Sequence, residues 1–326
     1  MTPFVSVVIT TYNQAGYIEA TVASALAQTY PAREVIVIDD GSTDDTAARL
    51  EHFQDRIVYN RRANGGVAAA RNSGIDAARG ELVAFLDGDD LWAPEKLAVQ
   101  VAAYQAHPST GLIAVDAEVF SGDDTLRRST LPWKTIAPGP GDDAIATGPF
   151  YREFVISNLI ATTSQVMVPA HVLAAIGPSD SALSISSDYD LYLRIASAYD
   201  MTFIRRVLTR WRYLRTSASG PQEQRQATYD RAVVAALRAH LRRARPEWRA
   251  LIRQSCHHTT YEAARTVYDR GCDVEIEKTW ACRYLAGLFA INPTNPWPLV
   301  FYAGLMSPRT LRRAAAAVLR ISKHTS

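Results

Sequence analysis

Short apolar runs alternate with segments of helical spacing along the first 110 residues. The apolar runs are rich in β-branched residues and predict four strands: residues 4–10, 34–38, 57–59 and 82–86. Helical spacing predicts helices over residues 17–28, 67–78 and 94–107, and over a segment that Ser42 or Thr43 caps and that ends near residue 53. This alternation predicts an α/β fold with a mostly parallel, Rossmann-like central sheet flanked by helices.

The pattern changes after residue 110. Three further strands and an amphipathic helix are predicted, over residues 111–120, 165–168, 201–204 and 188–198 respectively. Residues 121–149 are rich in Gly, Pro and Asp, which predicts a long loop region. From about Gln222 the spacing is helical throughout, with arginine-rich faces. The change in composition near Gly220 predicts a domain boundary, followed by a helical C-terminal region, 221–326.

Composition narrows the possible classes of function. The net charge of +2, with 21% charged residues, gives no general affinity for polyanions, so no nucleic-acid partner is expected. Cys256, Cys272 and Cys282 lack C-x-x-C spacing, which argues against zinc and a disulfide framework and favours a reducing cytosol. Neither a leader pattern nor an apolar run of membrane-spanning length occurs, so we expect a cytoplasmic protein.

Polar clusters follow the predicted strands at the points where they end. The clusters occupy residues 10–13, 39–42, 64–66 and 87–90. Because the carboxyl ends of parallel strands meet at one edge of a sheet, we expect these clusters to share a crevice. Core packing alone would not place carboxylates after successive buried strands.

The last of these clusters is the most unusual. Asp87, Asp89 and Asp90 surround Gly88 directly after a buried strand, and their mutual repulsion needs a positive partner. Gly88 permits a tight turn, so that Asp87 and Asp89 can point into one space. Such oxygen ligands select Mg²⁺ or Mn²⁺, completed by substrate phosphates. The alternative is a solvated loop that caps the helix beginning near Pro94.

Four segments carry a family resemblance. They read V-S-V-V-I-T-T-Y-N, V-I-V-I-D-D-G-S-T-D, N-G-G with A-R-N-S-G, and F-L-D-G-D-D-L-W, over residues 5–13, 35–44, 64–74 and 85–92. In order and spacing they closely resemble the family-2 glycosyltransferases, which are inverting enzymes with the GT-A fold and nucleotide-sugar donors. The resemblance covers about residues 4–215. It implies a catalytic domain over residues 1–220, with the nucleotide-sugar bound by about 1–110 and the acceptor by about 111–220.

The resemblance implies roles for residues at the strand ends. Asp89 matches the metal ligand of the family's D-x-D motif, and Asp87 matches its partner. Asp40 matches the carboxylate that accepts a hydrogen bond from the nucleotide base, with Thr10 and Tyr12 lining the base pocket. A divalent ion at this place would offset the charge of a diphosphate leaving group.

Three further positions are implied. Arg71 matches a basic residue near the nucleotide, the alternative being a surface charge on a helix. Asp188 matches the general base, although Ser187 replaces the acidic residue usual before it; the alternative is a helix N-cap. Residues 211–219 read W-R-Y-L-R-T-S-A-S and resemble the family's closing segment, in which Arg212 matches. Leu214 stands where a histidine is usual, and the resemblance then leaves the diphosphate contact of that histidine to Arg212 or Arg215.

The expected activity is transfer of a sugar from a nucleotide diphosphate to a hydroxyl of a glycan or lipid-linked acceptor, in cell-surface polysaccharide synthesis. The resemblance favours UDP as the nucleotide of the donor, with dTDP and GDP as alternatives. The alternatives are a nucleotidyltransferase and a non-catalytic nucleotide- or carbohydrate-binding module. We expect Trp133 and Asn158 to face the acceptor, because they lie in the region that follows no family pattern. Residues 297–323 combine aromatic and basic residues, which fits either peripheral contact with the inner face of a membrane or packing on protein.

Overall fold

The computed structural model describes residues 2–136, 144–214 and 222–269 of the chain. The chain divides into two compact units, Met1–Gly220 and Pro221–Ser326. The roles predicted for these two regions stay predictions. The basic, aromatic segment 297–323 lies outside the described residues. Within them, no helix is both long and apolar enough to cross a membrane.

The strands of the first unit, over the part of it that is described, are β1 (Val5–Thr11), β2 (Arg33–Asp39), β3 (Val58–Arg61), β4 (Leu82–Asp87), β5 (Leu91–Trp92), β6 (Thr110–Ser121), β7 (Asp124–Arg127), β8 (Ile145–Gly148), β9 (Val166–Pro169) and β10 (Asp200–Arg212). Its helices are α1 (Ile18–Leu26), α2 (Thr46–Leu50), α3 (Val67–Ala77), α4 (Lys96–Ala106), α5 (Trp133–Ile136), α6 (Tyr151–Ile156), α7 (Ala170–Ile176) and α8 (Ser187–Ala196). The second unit contains α9 (Gln222–Leu241) and α10 (Pro246–Asp269).

One mixed sheet joins the strands in the order β3-β2-β1-β4-β9-β6-β10-β5, with β7 paired to β6 and β8 paired to β10. Strands β3, β2, β1 and β4 are mutually parallel, as are β6 and β10. Between these two parallel groups lies β9, which is antiparallel to both of its neighbours. The prediction of an α/β fold is confirmed, and the sheet is parallel within these two groups but mixed as a whole, because β5, β7, β8 and β9 pair antiparallel with their neighbours.

The core explains why the central strands read as continuous apolar runs. Every residue of β1 is buried, and so is β4 from Leu82 to Leu86. Helices cover both faces of these strands: α1 and α4 pack on the face that contains Val7 and Ala84, and α3 packs on the face that contains Val8. Strands covered on both faces have no polar side to alternate with.

Two predictions about the later part of the first unit are wrong. Residues 121–149 are not one long loop, because within their described portion they form β7, α5 and β8. These strands are short and largely exposed, so no apolar pattern marked them, and pairing with β6 and β10 stabilises them. The strand predicted over 201–204 continues to Arg212. Arginines and register shifts after Ile204 interrupt its apolar pattern.

Gly74 allows α3 to lie very close to β1, and we expect Gly74→Ala to lower the free energy of unfolding by about 1–2 kcal/mol. A Cβ at this position would lie 2.1 Å from Cγ1 of buried Val8. Overpacking of this kind costs about 1–3 kcal/mol, and the better helix propensity of Ala returns up to about 1 kcal/mol. Denaturant unfolding measures the change. Gly16→Ala is the control, because a Cβ there meets nothing within 4 Å. Equal stability of the two variants would contradict the expectation.

Candidate functional site

The polar clusters at the ends of β1, β2 and β4 lie side by side. The register pairs Thr11 with Asp39 and Thr10 with Asp87. They therefore meet at the carboxyl edge of the sheet, where open α/β sheets bind their ligands. Hydroxyl side chains of residues 162–164 reach the same edge, because they donate to Asp87 and Asp90.

The end of β2 carries two aspartates with different partners. Asp39 is fully buried and accepts hydrogen bonds from the backbone N–H of Ser42, at 2.7 Å, and from the hydroxyl of Tyr59, at 2.6 Å. These contacts tie the end of β2 to the following turn and to β3. Asp39 is thus a structural neighbour of Asp40, because its oxygens are turned into the protein.

Asp40 holds the glycine loop against the end of β2. Its carboxylate accepts hydrogen bonds from the backbone N–H groups of Gly65 and Gly66, the latter at 2.7 Å, and pairs with Arg62 at 3.3 Å. The side chain is only 4% exposed. Contact of Asp40 with a nucleotide base stays a prediction, and a base at this place would share the carboxylate with the glycine loop.

The end of β1 closes over the turn that follows β2. Asn13 has a left-handed backbone, with φ of 51°, and its side-chain oxygen accepts a hydrogen bond from the N–H of Thr43 at 2.7 Å. Tyr12 is 47% exposed at this rim, whereas Thr10 is buried and its carbonyl accepts from the N–H of Gly88. Tyr12 is therefore available to a ligand through its ring, and Thr10 lies beneath it.

Residues 87–90, which we call the carboxylate turn, are packed tightly against the end of β1. A Cβ on Gly88 would lie 2.4 Å from the Oε1 atom of Gln14 and 2.9 Å from Cβ of Thr11. Only glycine fits so close an approach. The turn therefore packs directly against the end of β1, and its carboxylates are held beside residues 10–14.

Asp90 is the structural anchor of the carboxylate turn. It is 1% exposed and accepts hydrogen bonds from the hydroxyls of Ser164, at 2.6 Å, and Thr162, at 3.1 Å, and from the N–H of Arg212 at 2.8 Å. Burial, followed by the charges of Asp89 and Asp87, raises the pKa of Asp90 well above its usual range. Asp87 and Asp89 are partly exposed, whereas Asp90 is buried, so Asp87 and Asp89 are the members of the turn that can serve a ligand.

Asp87 and Asp89 fit a hard divalent cation. Burial, and then the charge of Asp87, raises the pKa of Asp89 to about 6, against the opposing effect of Arg212. A cation between the two carboxylates would relieve both causes. Among the described residues no three His, Cys, Asp or Glu side chains form a metal-binding group. Two carboxylates completed by phosphate oxygens are, however, a usual environment for Mg²⁺.

Arg71 is a buried cation beside these carboxylates. It lies on α3 and is 9% exposed, so the alternative of a surface helix charge is wrong. Its guanidinium donates to Asp87 at 3.0 Å and to the hydroxyl of Thr163 at 2.8 Å. The charges of Asp87 and Asp188 oppose the effect of burial and raise the pKa of Arg71. The guanidinium is therefore charged next to the carboxylate turn, and its contact with a nucleotide stays a prediction.

Asp188 lies in the first turn of α8, within electrostatic range of Arg71 and Asp87. The N-cap of this helix is Ser186, so the alternative of Asp188 as the N-cap is wrong. One oxygen accepts the N–H of Tyr189 at 2.7 Å. Burial raises the pKa of Asp188, Arg71 opposes that effect, and Asp87 adds to it. The structure thus brings Asp188 to the carboxylate turn from a separate part of the chain.

Two other charged residues of α8, Asp190 and Arg194, hold this helix in place. Asp190 is fully buried and accepts a hydrogen bond from Arg194 at 2.9 Å. Arg194 also donates to the carbonyls of Ile176, Gly177 and Pro178. This ion pair therefore fixes α8 to the end of α7, and with it the start of α8, where Asp188 lies.

Arg212, at the end of β10, reaches the carboxylate turn from the opposite side. Its backbone N–H donates to Asp90, and its Nε donates to the carbonyl of Asp89 at 2.8 Å. The guanidinium lies 4.5 Å from the ring centre of Phe120 and 4.9 Å from that of Tyr17. A diphosphate contact by Arg212 stays a prediction, and Arg215 lies outside the described residues.

The sequence did not indicate the hydroxyl residues that hold the carboxylate turn. Thr162, Thr163 and Ser164 all bond to Asp87 or Asp90, about 75 residues earlier in the chain. The only local signal was the capping box formed by Thr162 and Gln165 before β9. Such a box predicts the start of a helix and gives no indication of which carboxylates its neighbours contact.

Asp116, on β6, is a second residue that the sequence did not indicate. It is 2% exposed and accepts hydrogen bonds from Ser129, Thr130 and Leu131 and from the indole N–H of Trp133, at 2.7 Å. The carboxylate thereby shapes the chain between β7 and α5. The placement of Trp133 and Asn158 toward the acceptor stays a prediction.

Comparison with known proteins gives the same fold. Residues 6–163 match the model of glycosyl transferase family 2. TarS 1–349 of S. aureus, in complex with UDP, has a TM-score of 0.61 at 17% identity, over 97% of this chain and 88% of TarS. The mannosyltransferase PcManGT of Pyrobaculum calidifontis, in complex with GDP-Man and Mn²⁺, has a TM-score of 0.56 at 19% identity, over 98% of this chain and 88% of that protein.

Relatives by sequence are also glycosyltransferases by name. An uncharacterized glycosyltransferase of Rickettsia typhi is 31% identical over 60% of this chain and 61% of its own length. The UDP-Glc:alpha-D-GlcNAc-diphosphoundecaprenol beta-1,3-glucosyltransferase WfaP of Escherichia coli is 42% identical over 30% of this chain and 39% of its own length. The chain thus spans less than two thirds of the length of these relatives.

The fold is the GT-A fold of these glycosyltransferase structures. Residues 6–163, just under half of the chain, carry the likeness to glycosyl transferase family 2. The predictions of fold class and family are confirmed.

Proposed function

We propose that the protein is an inverting, metal-dependent glycosyltransferase that moves a sugar from a nucleotide diphosphate to a hydroxyl of a glycan or lipid-linked acceptor. The observation that carries this proposal is the convergence of Asp87, Arg71 and Asp188, from β4, α3 and α8, on one edge of the sheet. The buried cation, Arg71, suits an anionic sugar donor at this edge. Asp188, beside it, suits a proton acceptor.

In the proposed reaction the acceptor oxygen attacks the anomeric carbon as the bond from that carbon to the diphosphate breaks. Asp188 takes the proton of the attacking hydroxyl. Because attack and departure form a single displacement, the configuration at the anomeric carbon is inverted. Asp87 and Asp89 would hold a Mg²⁺ or Mn²⁺ ion, which offsets the charge of the departing diphosphate. Arg71 adds a fixed positive charge from the protein. Asp40, Thr10 and Tyr12 orient the base.

The names of the relatives support the choice of substrates. WfaP is named for a UDP-glucose donor and a diphosphoundecaprenol-linked acceptor, and the TarS structure contains UDP. PcManGT is bound to GDP-Man and Mn²⁺. We therefore favour a UDP-sugar for this chain, with synthesis of a cell-surface polysaccharide as its setting.

A thermal-shift panel tests the proposal. UDP, GDP, dTDP and CMP are compared with and without Mn²⁺, and UDP with Mn²⁺ should raise the melting temperature most. A ligand at 100 times its Kd stabilises the folded state by about 2.7 kcal/mol, which is several degrees for a domain of this size. Release of UDP from a UDP-sugar then separates an enzyme from a binding module. The absence of any stabilisation that needs both nucleotide and metal would contradict the proposal.

A further inference from the structure

Lys96, the first residue of α4, is buried without an acidic partner. The side chain is fully buried, and its Nζ donates to the Oε1 atom of Gln100 at 2.8 Å. The same nitrogen lies 3.9 Å from the ring centre of Trp92. The structure gives Lys96 no ion pair within residues 2–136, 144–214 and 222–269.

Stability does not explain a lysine at this position. A buried amine with a single hydrogen-bond acceptor is costly, and burial lowers the pKa of Lys96 well below its usual range. A methionine has a similar length and shape and would fill the same space without a polar atom. The contacts of the amine, rather than its burial, are therefore the feature that needs an explanation.

Both contacts of Lys96 lead to the same place. Trp92 donates its indole N–H to the carbonyl of Ser164 at 2.8 Å. Gln100 donates its amide to the carbonyls of Gln165, at 3.1 Å, and Ile113, at 2.9 Å. Because Lys96 occupies the amide oxygen of Gln100, the amide nitrogen must face these carbonyls. The amine thus fixes two donors that hold consecutive residues, Ser164 and Gln165.

These two residues are the ones that shape the carboxylate turn. Ser164 donates its hydroxyl to Asp90 at 2.6 Å and accepts the backbone N–H of Asp87 at 3.0 Å. Gln165 accepts the backbone N–H of Thr162, whose hydroxyl reaches Asp87 and Asp90. A displacement of Ser164 would therefore move both ends of the turn that contains the candidate metal ligands.

We propose that Lys96 is a positioning residue, which sets the geometry of the carboxylate turn through Trp92, Gln100 and Ser164. This inference rests on the proposed function, because the turn is taken to bind the metal and the donor phosphates. Lys96 touches neither of them and acts only through the two side chains beside it. The amine of Lys96 therefore serves the geometry of the carboxylate turn, and it lowers the stability of the metal-free protein.

The test separates stability from binding in Lys96→Met. The melting temperature of the metal-free variant should equal or exceed that of the wild type. Its affinity for UDP with Mn²⁺, measured by calorimetry, should fall at least tenfold. Leu97→Met is the matched control: Leu97 is an equally buried neighbour on α4, and the exchange conserves volume, so affinity should stay within twofold. Unchanged affinity of Lys96→Met, or a loss that merely follows a loss of stability, would overturn the proposal.

A second variant tests the same link without touching the amine. Trp92→Phe keeps an aromatic ring but removes the donor to Ser164, and it too should weaken binding about tenfold. The double variant with Lys96→Met should lose less than the two single losses multiplied together, because Trp92 transmits part of the effect of Lys96. Additive losses of binding free energy would overturn the proposal, and wild-type affinity of Trp92→Phe would do so even if Lys96→Met fails to fold. If the wild type itself binds no nucleotide with Mn²⁺, the proposed function fails instead.

Discussion

Asp188→Asn should lower the turnover of sugar transfer by about 10²–10⁴-fold and leave the affinity for UDP with Mn²⁺ within a few-fold of the wild type. The loss is the usual contribution of a positioned general base. Asn keeps the shape of the side chain and can still contact the N–H of Tyr189, but it cannot take a proton. Parallel measurements of transfer and of nucleotide binding on one preparation give both values.

The protonation of Asp188 adds a dependence on pH. Burial raises the pKa of this carboxyl, so the wild type should lose activity as the pH falls through that raised value. A carboxylate whose pKa is raised by folding destabilises the native state when it is ionised, so Asp188→Asn should be at least as stable as the wild type at neutral pH. Asp55→Asn, at an exposed position, is the control. Transfer at the wild-type rate by Asp188→Asn would exclude Asp188 as the base.

Asp89→Asn should abolish the stabilisation that UDP gains from Mn²⁺, and should at the same time raise the melting temperature of the metal-free protein. The first effect follows from the loss of a charged ligand to the ion. The second follows because the substitution removes a buried carboxylate that lies beside Asp87. Calorimetric titration and thermal melting of the same samples measure both effects.

The increase in stability should itself depend on pH. Folding raises the pKa of Asp89 to about 6, so the native state gains stability from protonation of this group as the pH falls through 6. The advantage of Asp89→Asn should therefore be largest above pH 6 and disappear toward pH 4. Asp90→Asn should not share this gain in melting temperature, because Asp90 accepts three hydrogen bonds and its replacement disrupts the turn. A metal response in Asp89→Asn equal to that of the wild type would refute the assignment.

The parts of the fold that were predictable from sequence are those in which local pattern and burial agree. Strands β1, β2 and β4 are buried on both faces, so continuous apolar runs marked them to within a residue or two. The polar residues after them could be placed at one edge because parallel strands share their direction. The short strands β7 and β8 depend on pairing with β6 and β10, and local composition carries no record of that pairing.

The site was predictable in its charges but not in its supports. The residues after the buried strand indicated Asp87 and Asp89, the resemblance supplied Asp188, and the structure places Asp87 and Asp188 around Arg71. The hydroxyls of residues 162–164 could not be inferred, since a threonine or serine is equally common in any turn. The buried amine of Lys96 could not be inferred either, because the spacing of four residues from Trp92 to Lys96 and from Lys96 to Gln100 occurs equally on exposed helix faces.

The position of β9 has a consequence for the order in which this chain folds. Until residues 166–169 have been synthesised, β4 has a neighbour on one side only, and its open edge could pair with another chain. Synthesis of β9 closes that edge and delivers the hydroxyls that shape the loop after β4. Fragments of the chain that stop short of β9 therefore leave one edge of β4 unpaired and prone to aggregation.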